Sequence, residues 1–340
     1  MGRREADFQY SEQIGGVFKE PVNVREFEIY VAPGFCDFEY SQICYTLKLA
    51  NTLFAKPLFV WRNVSYVPGF VRSENDIIVE AVHPRENAKE NSTTVVLGGS
   101  GQSSKYWMRQ VRMMQRKLLP VVLLSDAATT YIRQTGTAGR VTTHWRDALQ
   151  LAETGYYPNL SNRFSEKSNG VITAAGGAAT VELMIGLLAP FLTSAQIAEL
   201  GNRLLLNTIR KSDAEQPKCI ADNASLFDGK ITHAIRVMEG NIAEPLQITE
   251  LADHIGISTR HLERAFRGSL SDTPARFYKR MRAKRAKAMI EGTLLPLIDI
   301  AVATGFGSTS SLSKAVRDEY GASPTKMRDR KNISLLTFAD

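Results

Sequence analysis

ELADHIGISTRHLERAFRGSLSDTPARF (250–277) and DIAVATGFGSTSSLSKAVRDEYGASPTKM (299–327) are two copies of one pattern. Ser258 lies over Ser308, Leu262 over Leu312, Ala265 over Ala315, Arg267 over Arg317 and Pro274 over Pro324, and the stretches before the two serines differ by one residue. Self-similarity at a fixed offset marks a repeated supersecondary unit. In the first copy Ile248, Leu251, Ala252 and Ile255 form an apolar stripe, Gly256 breaks the helix, Ser258 is placed to cap the next one, and Leu262, Ala265 and Phe266 give that helix a buried face. In the second, Leu297, Ile300 and Ala301 precede Gly305, Ser308 or Thr309 can cap, and Leu312, Ala315, Val316 and Tyr320 are expected inside. Each copy therefore reads as helix, tight turn, helix.

The outer faces of the second helices are polar: Arg260, Glu263, Arg264 and Arg267 in one copy, Ser310, Ser313, Lys314 and Arg317 in the other. In a helix-turn-helix the first helix props the second so that its polar face enters the major groove. Arg260, Glu263 and Arg264, with Thr309, Ser310, Ser311, Ser313 and Lys314, are thus the expected DNA-binding residues, facing two groove segments about 34 Å apart. Between the copies runs FYKRMRAKRAKAMI (277–290), which with Arg276 carries seven basic residues and no acidic one. The chain's net charge of +7 is concentrated here: residues 230–340 hold 18 Lys and Arg against 12 Asp and Glu. An excess confined to one domain points to a polyanion partner.

Residues 27–211 alternate short apolar runs with longer helical stretches. FEIYVA (27–32), LFVWRNVS (58–65), DIIVEAV (76–82), TTVVLGG (93–99), LPVVLLSD (119–126) and GVITAAGG (170–177) read as strands, and Tyr40–Leu53 and Trp107–Leu118 as helices between them. That alternation implies an α/β domain whose sheet is mostly parallel and covered on both faces, with its ligand crevice at the carboxyl ends of the strands. The resulting plan is an extension (1–24), an α/β domain (25–211), a linker (212–228) rich in charge, Pro, Asn and Ser, an all-α domain with two helix-turn-helix units (229–332) and a tail (333–340).

LADHIGISTRHLERAFR, IAVATGF and GASPTKMR together resemble the AraC/XylS-type DNA-binding domain across about residues 230–330. Ser271 and Asp272 depart from it where a glycine is usual, Ala283 where a leucine is usual and Leu312 where phenylalanine is frequent. PGF (33–35), the GG after the fourth strand, THW (143–145) and AGGAATVELMIGLL (175–188) resemble the class I glutamine amidotransferase-like fold, a flavodoxin-like α/β sandwich, in its PfpI-type branch. In catalytic members a cysteine occupies a strained turn after the fifth strand. Here the expected occupant is Asp126, and none of the three cysteines falls there, so no catalytic residue is assigned. The two resemblances together imply a transcriptional regulator whose first domain dimerises and senses a small molecule. The implied partners are double-stranded operator DNA, an effector, a second copy of the chain and, for an activator, RNA polymerase.

Other chemistries find no support. LGGSGQSSK (97–105) does not satisfy a phosphate loop, Ser100 lacks the second glycine of a nucleophile elbow, and the five histidines form no HExxH, so neither cofactor nor metal is expected. No run approaches the roughly 18 apolar residues of a membrane helix, and the first residues lack a secretory apolar core, which makes the cytoplasm the expected compartment. The competing reading is an amidase or hydrolase with a nucleic-acid-binding appendage. For the ligand, Glu39, the Gly98–Gly99 turn, Asp126 and the His144–Trp145 pair are expected to meet in one crevice, near Ala175 and Gly176. Two carboxylates there repel unless a cation lies between them, and Trp145 can add a cation-π face, so a cationic or zwitterionic effector such as an amino acid or betaine-like compound is expected. The alternative is that Glu39 merely bonds the turn and Asp126 merely caps a helix.

Overall fold

The structure is a computed structural model that describes residues 24–99, 104–136, 139–217, 222 and 226–328. The extension up to residue 23, the tail 333–340, Cys219 and residues 100–103 of the LGGSGQSSK turn lie outside the described residues.

The first domain contains β1 (Arg25–Tyr30), α1 (Asp37–Asn51), β2 (Phe59–Val64), β3 (Gly69–Arg72), β4 (Ile78–Ala81), β5 (Ser92–Val96), α2 (Ser104–Arg116), β6 (Val121–Leu124), α3 (Ser125–Thr135), α4 (Trp145–Thr154), β7 (Ser165–Ser168), β8 (Val171–Ala174), α5 (Thr180–Leu188) and α6 (Ser194–Arg203). Its six-stranded sheet runs β2-β1-β5-β6-β8-β7, parallel except for β7. Strands such as VVLL of β6 are apolar at every position because both faces are covered. Ile43, Leu47, Met184 and Leu188 pack from α1 and α5 on one face, Trp107, Val111, Ala127 and Ala128 from α2 and α3 on the other.

Two features differ from the sequence reading. The DIIVEAV strand does not enter the main sheet: β4 pairs antiparallel with β3 in a separate two-stranded ribbon. The sheet edge is closed by β7, whose SEKS sequence has no apolar run to announce it because an edge strand beside solvent needs none. The ribbon is tied down by Asp37, which accepts hydrogen bonds from Ser73 Oγ (2.6 Å) and Asn75 Nδ2 (3.0 Å).

The second domain is helical: α7 (Gly229–Gly240), α8 (Ile248–Ile255), α9 (Thr259–Leu270), α10 (Pro274–Gly292), α11 (Leu297–Ala303), α12 (Thr309–Tyr320) and a last helical turn over 324–328. Ser258 Oγ accepts from the His261 amide (3.2 Å) to start α9, and Ser308 Oγ accepts from the Ser311 amide (3.1 Å) to start α12. Two cores lie side by side. Leu251, Leu262 and Phe266 fill one, Ile300, Leu312 and Val316 the other, and α10 supplies both, with Phe277 and Tyr278 to the first and Ala286, Met289 and Ile290 to the second. Burying each large apolar side chain contributes roughly 1.5–3 kcal/mol, so α10 is fixed against both units at once.

Candidate nucleic-acid interface and effector crevice

On α9, Arg260 and Arg264 are exposed one turn apart, and half-buried Glu263 pairs with Arg267 at 3.5 Å. On α12, Ser310, Ser311 and Lys314 are exposed while Thr309 and Ser313 are half-buried. The Ser311 hydroxyl accepts from Ser308 Oγ (3.1 Å), so the cap already engages it. Much of the spacer's positive charge is also engaged inside the domain. Arg276 and Arg280 pair with Asp272, Lys279 with Asp318 and Lys287 with Glu291. Arg282 donates to the Gly305 carbonyl (2.9 Å) and lies 4.6 Å over the Phe306 ring. Lys284 is exposed and has no ion pair among the described residues.

In the α/β domain the residue at the strained turn after the fifth parallel-reading strand is Ser125, with φ of +46°, not Asp126 as the sequence suggested. β6 ends with its apolar run at Leu124, two residues short of the expected strand end, and Asp126 falls in the first turn of α3. Ser125 Oγ donates to Glu39 Oε1 (2.5 Å), which also accepts from the Gly177 amide (3.1 Å), while Glu39 Oε2 accepts from the Gly98 amide (2.8 Å). Asp126 Oδ1 accepts from the Gly99 amide (2.5 Å). Burial drives the Glu39 carboxyl above its ordinary pKa and the Asp126 charge pushes the same way, opposed by these hydrogen bonds.

Glycines make this close approach possible. A Cβ on Gly176 would stand 1.9 Å from Glu39 Oε1 and 2.1 Å from Ser125 Oγ, and one on Gly98 would meet Glu39 at 2.9 Å. Burial makes the described thiols poor nucleophiles, pushing Cys36, whose amide bonds the Gly98 carbonyl, up to about 12 and Cys44, beside Tyr40 and Trp61, to about 11.

His144 is the N-cap of α4, its Nδ1 accepting from the Arg146 amide (3.2 Å), and burial lowers its pKa. The Trp145 ring is approached by the guanidinium of Arg146 at 5.6 Å. The residue before the pair, Thr143, is the one tied to the elbow, its hydroxyl donating to the Ser125 carbonyl (2.8 Å). Glu39, Gly98, Gly99 and Asp126 thus meet around the elbow with Gly176, whereas the contacts of His144 and Trp145 run to Arg146, Asp147 and Gln216 instead.

Two residues of this arrangement escape sequence reasoning. Ser125 sits beside the residue it displaces. Gln216 lies in what reads as linker, yet it is buried and bonds Thr142, Thr143, Arg163 and the Trp145 amide.

Residues 251–330 match the family described as a helix-turn-helix domain. The chain is similar to the HTH-type transcriptional regulator CdhR of Pseudomonas aeruginosa, 28% identical over 312 residues that cover 89% of this chain and 91% of that one. A solved AraC-type DNA-binding domain-containing regulator from Chromobacterium violaceum is 33% identical over 30% of this chain and 91% of its own, with a TM-score of 0.29. An AraC family transcriptional regulator from Pseudomonas putida is 18% identical, covers 53% of this chain and 99% of its own, and has a TM-score of 0.46. Two helix-turn-helix units on one spacer define a DNA-binding transcriptional regulator. Within that class its reader is similar to AraC-type DNA-binding domains, and an α/β domain with a mostly parallel sheet stands in front of it.

Proposed function

We propose that this regulator reads operator DNA through α9 and α12, with Arg260 and Arg264 as base readers and Thr309, Ser310, Ser313 and Lys314 in the second groove segment. The carrying observation is structural economy: one helix, α10, walls both cores, so the two exposed recognition faces are held at a fixed separation. Binding of the purified chain to duplex fragments from its own gene neighbourhood tests this. A salt-dependent, sequence-selective complex is expected, and equal affinity for unrelated DNA would reject it.

The effector is a small amine, guanidinium or quaternary ammonium, alone or in a zwitterion. Supporting this, Glu39 and Asp126 bond the two amides of one turn, Gly98 and Gly99, and the Asp126 charge works against ionisation of Glu39. A cation beside Asp126 would relieve that repulsion. A thermal-shift panel of amines and organic acids decides it, with Asp126→Asn as control. Stabilisation by anions alone, or amine affinity intact in Asp126→Asn, would overturn the class.

The α/β domain works as a sensor and not as an enzyme. The hydrolase reading has one specific observation in its favour, the Ser125 hydroxyl at the elbow, but its partner Glu39 already accepts two backbone amides and no imidazole bonds Ser125 among the described residues. Ester or amide turnover that Ser125→Ala abolishes would restore that reading. The regulator acts as a cytoplasmic homodimer. The apolar, exposed ribbon supports the pairing, with Phe70 82% exposed and Val67 and Ile78 beside it. As an activator it would also meet RNA polymerase. No described helix is long and apolar enough to cross a membrane, and no cluster of three metal-ligating side chains occurs among the described residues.

A further inference from the structure

We propose that α4 couples the crevice to the DNA reader, so that a change at the Ser125 elbow is transmitted as docking or release of α4 on the spacer helix α10. This rests on the reading of the elbow crevice as the effector site.

One end of α4 is wired to the elbow. The Ser125 carbonyl accepts from Thr143 Oγ1 (2.8 Å), the Thr143 and Thr129 hydroxyls lie 2.6 Å apart, and the single proton of Thr129 Oγ1 is shared between Asp147 Oδ2 (3.1 Å), in the first turn of α4, and the more distant Ser125 carbonyl (3.3 Å). Thr129 and Thr143 are buried, so this network cannot shift piecemeal without leaving polar groups unpaired. Gln216 fastens the chain leading to the reader onto the same place, since it accepts from the Trp145 amide (2.8 Å) and donates to the Thr143 carbonyl (2.8 Å).

The middle of α4 meets the reader. Leu149 and Gln150 face Arg285, Ala288, Met289 and Thr293 of the spacer and its end. The fit is close at one point: a Cβ on Gly292 would stand 2.5 Å from Gln150 Cγ and 2.6 Å from its Cδ. Because α10 is common to both helix-turn-helix cores, a contact there addresses both units together. The path is contiguous, from elbow carbonyl to threonine pair, Asp147, α4, Gln150 and α10. Its rigid element is α4, docked on α10 in this structure, and release of α4 is the second arrangement that the proposed coupling requires.

Amide hydrogen exchange on the full chain tests the coupling without a known effector. Thr129→Val keeps the shape of the side chain and removes the hydroxyl that holds Asp147. It should raise exchange in α4 and also in the Arg285–Gly292 segment, by about 5-fold or more, the lower end of typical couplings. Gly292→Ala favours the helix but pushes on Gln150, and should raise exchange at the same spacer segment and, because coupling is reciprocal, in α4. In that background Thr129→Val should add nothing at α10. Gln150→Ala, which removes the contact without adding bulk, should reproduce the effect of Gly292→Ala. An α10 segment that exchanges alike in wild type and Thr129→Val, or effects of Thr129→Val and Gly292→Ala that simply add, would overturn the proposal. Failure of the full chain to bind any duplex or amine would instead remove the underlying reading, and the exchange result would stand by itself.

Discussion

Replacing Ser271 by glycine should stabilise the DNA reader. Ser271 closes α9 in the left-handed region with φ of +52°, its amide donating to the Arg267 carbonyl (3.2 Å). At the corresponding place in the second unit the chain has Gly321, with φ of +68°. An L residue held in that region costs about 1 kcal/mol relative to glycine, because Cβ crowds the backbone oxygen. The serine side chain is exposed, and glycine keeps the amide that makes the capping bond. Ser271→Gly should therefore gain about 1 kcal/mol, offset in part by the freer unfolded chain, which corresponds to about 4–8 °C per kcal/mol in a domain of this size. The reverse change, Gly321→Ser, should lose a similar amount. Calorimetry of the full chain, following the reader's transition, reads both. A Ser271→Gly melt that is unchanged or lower, with Gly321→Ser tolerated, would refute the conformational argument.

Glu39→Gln should alter the pH dependence of the sensor domain. The folded-state pKa of Glu39 is raised, so the folded domain holds that proton more tightly than the unfolded chain does. Its contribution is greatest below the ordinary carboxylate pKa of 4.5 and fades as pH rises towards the raised value, so Glu39→Gln should gain relative to wild type across that window. A melting difference that stays constant with pH would contradict this. Gly176→Ala should destabilise the sensor by about 1–3 kcal/mol, since a methyl there overlaps Glu39 and Ser125 at a φ of +72°, and leave the reader's transition in place. Phe70→Asp should convert the full chain to monomers in light scattering, whereas an unchanged mass would move the pairing surface elsewhere.

The reader was legible because its signals are local. Ser258 and Ser308 cap, Gly256 and Gly305 turn, and the apolar stripes count out the helices, all within about thirty residues. The parallel core strands were equally plain, since β6 is apolar at every position and β5 ends in Val95 and Val96, one in the core on each side of the sheet. What stayed hidden depends on partners distant in sequence. GFVR of β3 and SEKS of β7 lack a buried-strand pattern, and only their pairing with β4 and β8 makes them strands. The crevice glycines were visible as GG pairs, but whether Ser125 or Asp126 takes the strained turn is a matter of one residue of register, fixed by where β6 stops pairing with β8. Gln216 reads as linker because its four hydrogen bonds reach residues more than fifty positions away. The spacer's basic run is a clear sequence signal whose meaning the structure changes, since Asp272, Asp318 and Glu291 engage much of it.

Base-by-base affinity of the full chain for operator variants, measured for wild type, Arg264→Ala and Lys284→Ala at one salt concentration, bears most directly on the claim that α9 reads sequence while the spacer supplies charge. Arg264→Ala should lose about 1–3 kcal/mol of discrimination at one or two base pairs and keep its preferences elsewhere. Lys284→Ala, if it reaches a phosphate, should weaken every sequence by the same factor. An Arg264→Ala protein with the wild-type preference at every position, or one that binds all sequences equally more weakly, would contradict the account.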